Sequence, residues 1–214
     1  EAIGNLETPH LPNGKIPYYF DANGRYENKD IMMRFLDYAE QIGAIDQIAV
    51  LEEPFNDNYH ENVTDITERG PKVAADESSH TDKDTLLRIQ QGYNMIALKA
   101  IAKTLSMTLK ISHLAFEYKI PCFCADLTVN PILVDWNKCI AARLPSFSDF
   151  NLGLQETNGW QNYKNWKKMC TYHPMSEASW INTRDGVYET DESFFEKSGG
   201  IFHASPHYEK IFQL

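Results

Sequence analysis

The chain has 214 residues, of which 43% are hydrophobic, 23% charged and 12% aromatic. That globular mixture excludes a disordered or collagen-like chain, and the length allows one large domain or two small ones. With 20 basic against 30 acidic residues the formal net charge is −10, and no basic stripe of the kind a nucleic-acid binder needs is visible. No apolar run approaches the roughly 20 residues that span a bilayer, so no membrane partner is expected. No signal peptide is visible in these residues, and the cytoplasm is the expected location, with a leader upstream of Glu1 left open. The first residues, Glu1-Ala2-Ile3-Gly4, lack an initiator Met and read as the tail of a helix, so further residues are expected upstream.

In chain order, a strand-like apolar run ending in a polar residue recurs. The runs are Ile16–Asp21, Ile48–Glu52, Lys72–Asp76, Met95–Lys99 and Cys122–Asp126, with a weaker one at Phe150–Glu156. Helical patterns lie between them. Asn28–Ile42 carries an apolar stripe of Ile31, Met32, Phe35, Leu36 and Ala39 and stops at Gly43. Asn58–Glu68 is a polar helix. Thr81–Gln90 opens on a capping-type Thr with Asp84 three residues on. Thr104–Tyr118 has mixed phase, and Pro131–Leu144 starts with Pro near its first turn. Trp160, Tyr163, Trp166 and Met169 form one helical stripe that reads as core.

Alternating strands and helices imply a parallel sheet with right-handed crossovers. Six βα units make most of a TIM-type (β/α)8 barrel, which needs about 250 residues. The expected domains are a partial barrel over 1–160 and a C-terminal extension over 161–214 that packs on it. The cysteines Cys122, Cys124, Cys139 and Cys170 read as reduced core residues, because Cys122 and Cys124 would point to opposite faces of a strand. His203 and His207 flank Pro206 without a glutamate between them, so a packing or surface role is expected. Gly199-Gly200 lacks the strand and helix context of a phosphate loop.

The chemistry lies at the strand ends. Asp21, Glu52 and Asp76 each close a predicted strand, and in a parallel barrel such ends converge on the face where active sites lie. Three carboxylates held together repel one another unless a cation neutralises them, and oxygen-only donors suit Mg2+ before Mn2+. Lys99 ends the next strand. A metal-bound substrate carboxylate could present its α-proton to a neutral lysine acting as general base, with the metal stabilising the enediolate. Taken singly, each residue also reads as a helix cap or a solvated side chain.

Phe20-Asp21-Ala22-Asn23-Gly24, Leu51-Glu52-Glu53-Pro54, Ala75-Asp76-Glu77-Ser78 and Ala97-Leu98-Lys99 resemble, in order, strands three to six of the enolase superfamily barrel. The nearest subgroup is the muconate lactonizing enzymes and dipeptide epimerases, the L-Ala-D/L-Glu epimerases among them. The resemblance implies that strands three to eight are present, and that the first two strands and an N-terminal capping domain lie outside the chain. It implies Mg2+ binding by Asp21, Glu52 and Asp76 and acid/base work by Lys99, opposite a second lysine from a Lys-x-Lys motif on strand two. Asp126, Glu156 and Asn23 become candidate substrate contacts, for example to an ammonium group. Two departures matter. No Gly-Gly follows Lys99, as it usually does in the epimerases. Strand seven ends in Asp126 without the histidine of the mandelate racemase and sugar-acid dehydratase subgroups.

The activity expected is epimerisation or racemisation of a dipeptide or other N-substituted amino acid. The alternatives are a dehydratase or cycloisomerase of the same superfamily, such as an o-succinylbenzoate-synthase-like enzyme, and a barrel fragment without catalysis. The expected partners are a small carboxylate substrate, the N-terminal segment of the same protein and a second copy in a homo-oligomer.

Overall fold

Five strands alternate with helices in a computed structural model that describes residues 6–7, 14–147 and 153–213. They are β1 (Tyr18–Asp21), β2 (Ile48–Glu52), β3 (Lys72–Ala75), β4 (Met95–Leu98) and β5 (Cys122–Cys124). Between them run α1 (Lys29–Gln41), α2 (Thr64–Thr67), α3 (Asp82–Gln90) and α4 (Leu105–Glu117), and α5 (Pro131–Ala141) follows β5. The strands form one sheet in the order β1-β2-β3-β4-β5, and the pairings from β1 to β4 are parallel. The order never reverses. Right-handed crossovers then place α1 to α4 on the same side, which is the winding of a (β/α) barrel and not of a doubly wound sheet. The sixth expected strand survives as one parallel bridge, Cys124 to Gln155; Phe150 to Leu152 of that run lie outside the described residues.

Local chemistry accounts for the element bounds. Asn28 caps α1 by accepting from the Ile31 amide at 3.1 Å, and Gly43, at φ +72°, lets the chain leave the helix. The α1 stripe buries Met32, Leu36 and Ala39. Thr81 and Asp84 form a reciprocal capping box at the start of α3. Asn130 and Pro131 open α5. β3 and β4 are buried nearly throughout, as continuous apolar strands covered on both faces should be.

Two expectations need correction. The helix expected over 58–68 shrinks to the single turn of α2. Asparagine side chains before it capture backbone amides: Asn56 Oδ1 accepts from Asn58 N at 3.0 Å, and Asn62 Oδ1 from Thr64 N at 2.8 Å. Such local bonds compete with the helix ladder. The aromatic stripe after residue 160 is broken into α6 (Gly159–Asn162) and α7 (Trp166–Cys170). Tyr163 between them is extended, at φ −97° and ψ 115°, so the stripe loses its phase and Trp160 is 60% exposed instead of core.

The chain divides into two compact units. One comprises Glu1–Leu98, Ser106–Cys122 and Pro145–Leu152; the other comprises Lys99–Leu105, Phe123–Leu144 and Gly153–Leu214. In the second, Cys139 of α5 shares a core with Cys170, Trp180, Ile181 and Phe194, so residues well beyond 160 pack on a barrel helix. Beneath them Lys138 Nζ is bonded to Asp135 Oδ1 and donates to the Trp180 carbonyl at 2.7 Å. His173 Nε2 lies 3.4 Å from Asp135 Oδ2, and His173 Nδ1 accepts from the Met175 amide at 3.0 Å. All four cysteines are buried free thiols, and burial pushes the Cys122 thiol up to about 12. His207 stacks on Tyr172 with ring centroids 3.5 Å apart, a packing role. Among the described residues no helix is long and apolar enough to cross a membrane.

Candidate active site

The ends of β1, β2 and β3, all in the first unit, carry the three expected metal ligands. Parallel register sets Asp21 beside Glu52, and Glu52 beside Ala74, two residues before Asp76. The loops beyond are laced by backbone bonds. Ala22 N donates to Glu52 O at 3.0 Å, Gly24 N to Glu53 O at 2.7 Å and Tyr26 N to Pro54 O at 3.0 Å. Glu53 N donates to Ala74 O at 2.9 Å. Asn23 and Gly24 are both left-handed, at φ 48° and 68°, and Arg25 N closes on Ala22 O at 3.1 Å. That is the pattern of a type I′ turn, which Asn-Gly favours because both central residues need positive φ.

Burial separates the three carboxylates. Glu52 is 2% exposed and Asp76 1%, whereas Asp21 is exposed. Asp21 Oδ1 accepts from the Asn23 amide at 2.9 Å, and its Oδ2 accepts from Asn23 Nδ2. Among the described residues no three His, Cys, Asp or Glu side chains stand close enough to hold a metal ion. Strand register sets the three strand ends side by side. Asp21 is bonded on its own turn, and three carboxylates brought together repel one another unless a cation neutralises them. The donor set is all oxygen, which fits a hard cation in kind.

Glu53, the second acid of Leu51-Glu52-Glu53-Pro54 and outside the expected ligand set, is 1% exposed and sits at φ +36°. Its Oε2 accepts from Asp76 N at 2.7 Å, Ser78 N at 3.1 Å and Ser78 Oγ at 3.0 Å. Burial pushes its carboxyl above the usual range, and these hydrogen bonds oppose that shift. A signal for it was available: a second acid beside a candidate ligand, before Pro54, is costly to bury unless it bonds something.

The remaining candidates belong to the second unit. Lys99 follows β4 directly and is 9% exposed; its carbonyl accepts from Ala102 N at 2.9 Å and Lys103 N at 2.7 Å. Asp126 Oδ1 accepts from Leu127 N at 2.6 Å and Val129 N at 3.3 Å, and Oδ2 accepts from Asn158 N at 2.6 Å. Glu156 Oε2 accepts from Asp126 N at 3.0 Å. Asp126 thus caps the turn after β5 and ties it to Asn158, the plain alternative to a substrate contact. Asn23 likewise has a structural task in its turn.

Solved structures that match this fold are enolase-superfamily barrels of the mandelate racemase and muconate lactonizing enzyme group, so the fold is that of part of such a barrel. One is the L-Ala-D/L-Glu epimerase from Bacillus subtilis in a substrate-liganded complex, with TM-score 0.59, 19% identity, and coverage of 71% of this chain and 41% of that one. Another is a dipeptide epimerase from Cytophaga hutchinsonii complexed with Mg and the dipeptide D-Ala-L-Val, with TM-score 0.53, 20% identity, and coverage of 67% and 39%. A third is the N-succinyl Arg/Lys racemase from Bacillus cereus, with TM-score 0.57, 15% identity, and coverage of 70% and 39%. The chain therefore spans about 40% of the length of these structures. No family model matches the chain, and no curated protein matches it in sequence.

Proposed function

We propose that the chain carries part of a Mg2+-dependent enzyme that removes the proton α to a substrate carboxylate, with epimerisation or racemisation of a dipeptide or N-substituted amino acid as the outcome. The observation that supports this reading best is the register of three strand ends. Asp21 pairs with Glu52, and Asp76 follows the strand that pairs with Glu52. The named activities of the epimerases and the racemase that share the fold agree with it.

In this reading Asp21, Glu52 and Asp76 hold the ion, with Mn2+ as a substitute. Bound Mg2+ would supply Lewis-acid stabilisation of the enediolate. Lys99, in its neutral form, accepts the α-proton at Nζ and can return it. Inversion needs a second base on the other face of the carbon, assigned here to a segment of the protein outside this chain. Asp126, Glu156 and Asn23 remain proposed substrate contacts through whatever lone pairs their turns leave available. The extension from residue 161 is proposed as a separate domain element, the soluble cytoplasm as the location and a homo-oligomer as the assembly.

The test is α-proton exchange in D2O on a panel of dipeptides and N-acyl amino acids, with Mg2+ and with the ion chelated. Exchange should need the ion, and Lys99→Met should abolish it on one face. Undiminished exchange in that variant removes Lys99 from the mechanism. Loss of β-substituents or ring closure in the products would instead support the dehydratase or cycloisomerase alternative. The non-catalytic alternative predicts no exchange and no Mg2+ affinity.

A further inference from the structure

Glu53 stands between the three strand ends just described. Its carbonyl accepts from Gly24 N at 2.7 Å, in the loop after β1. Its amide donates to Ala74 O at 2.9 Å, in β3. Its side chain reaches past β3 to take the Asp76 amide at 2.7 Å and both donors of Ser78. One residue, adjacent to Glu52, therefore fixes the loop that bears Asp21 and the turn that bears Asp76. It does so in a left-handed conformation, φ +36°, that costs a non-glycine residue about 1–3 kcal/mol and persists only where the surroundings enforce it. A buried acid in a strained conformation, spent on the backbone of a neighbouring candidate ligand, is an expensive way to close an ordinary loop.

We propose that Glu53 is a positioning residue: it sets the separation of the Glu52 and Asp76 carboxylates and thereby the affinity of the strand ends for a divalent cation. This inference rests on the metal-binding reading above and adds to it a residue with no place in the ligand set. The argument is geometric. Glu52 lies within the β2 ladder, whereas Asp76 lies one residue past the end of β3. The Glu53 bond to the Asp76 amide ties this first residue beyond the strand back to β2. The bonds to Ser78 stop the turn from swinging, with Ser79 N closing on Asp76 O at 3.0 Å. The other carboxylate oxygen, Oε1, is buried without a hydrogen-bond partner among the described residues. A glutamine could therefore put its carbonyl oxygen in the Oε2 position and its amide nitrogen where Oε1 lies, keeping the same three bonds.

The test uses Mn2+ as the probe. Its binding is followed by loss of the free-ion electron paramagnetic resonance signal, and backbone order by amide hydrogen exchange at Asp76 and Ser78. Glu53→Ala should lower Mn2+ affinity about 10- to 100-fold, the range for residues that orient metal ligands, and should deprotect both amides. Glu53→Gln should keep affinity and protection close to wild type. Glu53→Asp, one methylene short, should behave as Glu53→Ala and carries the comparison if the alanine variant does not fold. Wild-type Mn2+ binding that survives both truncations overturns the inference and leaves the metal reading standing. Affinity lost equally in Glu53→Gln also overturns it, because charge and not the bonds would then matter. Affinity lost with both amides still protected overturns it too. A wild type that binds no Mn2+ sinks the metal reading itself, and this inference with it.

Discussion

Replacing Lys138 by Met removes the only charge that faces Asp135 at hydrogen-bond distance among the described residues. Both side chains are buried, at 4% and 2% exposed. The Lys138 ammonium bonds Asp135 Oδ1, donates to the Trp180 carbonyl at 2.7 Å, and stands 3.8 Å over the Tyr188 ring. Methionine matches its length and supplies none of these. Breaking a buried pair by removing one partner costs about 3–5 kcal/mol, because the other charge stays in the dry interior. Urea denaturation at neutral pH, followed by tryptophan fluorescence, should show a loss in that range. The pH dependence carries a sign. Burial already pushes Asp135 up to about 6 from its ordinary 3.8, against the opposing pull of Lys138. Without the lysine the carboxyl rises further. An acid raised on folding favours the folded state at low pH and loses that advantage as pH climbs through its folded value. The variant should therefore be penalised more at pH 8 than at pH 5. Adding Asp135→Asn to Lys138→Met removes the stranded charge and should recover at least half of the loss. A single-variant cost below about 1 kcal/mol, or a double variant no better than the single, would refute the reasoning.

Two further outcomes follow from local geometry. Burial, and then the Lys138 charge, depress His173 to about 4. Its contribution to stability is present above the unfolded value near 6.5 and is lost as pH falls through 4, so melting temperature should drop across that window. Subtracting the curve of His173→Asn, which keeps an acceptor for the Met175 amide, isolates that slope from the opposite one of Asp135; a difference that stays flat would contradict the assignment. Gly24→Ala places a Cβ 3.1 Å from Asn56 Cα at φ +68°. Chemical denaturation should register a loss of about 1–2 kcal/mol, the cost of a left-handed alanine, and an unchanged midpoint would show that the turn relaxes freely.

Much of the fold was legible in the residues themselves. The run Ile48–Glu52 marks β2 to the residue, because a short continuous apolar run closed by an acid fits a strand buried on both faces. Asn28, Thr81 and Asn130 mark helix starts through side-chain bonds to amides three residues on. Asn23-Gly24 marks its turn by the φ values it tolerates. Each of these is a contest settled within a few residues, so the order of types along the chain decides it. The spacing of Asp21, Glu52 and Asp76 was legible for the same reason: strand ends recur with the βα unit.

Other features depended on residues far apart in the chain. Asp135 and Lys138 stand three apart on α5, a spacing that by itself describes a solvated helix pair. They are core because Trp180 and His173 close over them. Glu53 gains its role only from Asp76 and Ser78, more than twenty residues on, which donate to it. The bond of Asp21 to the Asn23 amide, two residues away, appears only in the folded turn. Backbone periodicity is set by neighbours in sequence, so composition and spacing determine where strands, caps and turns fall. The partner of a buried charge is set by which distant segments pack against it, and that only the tertiary structure decides.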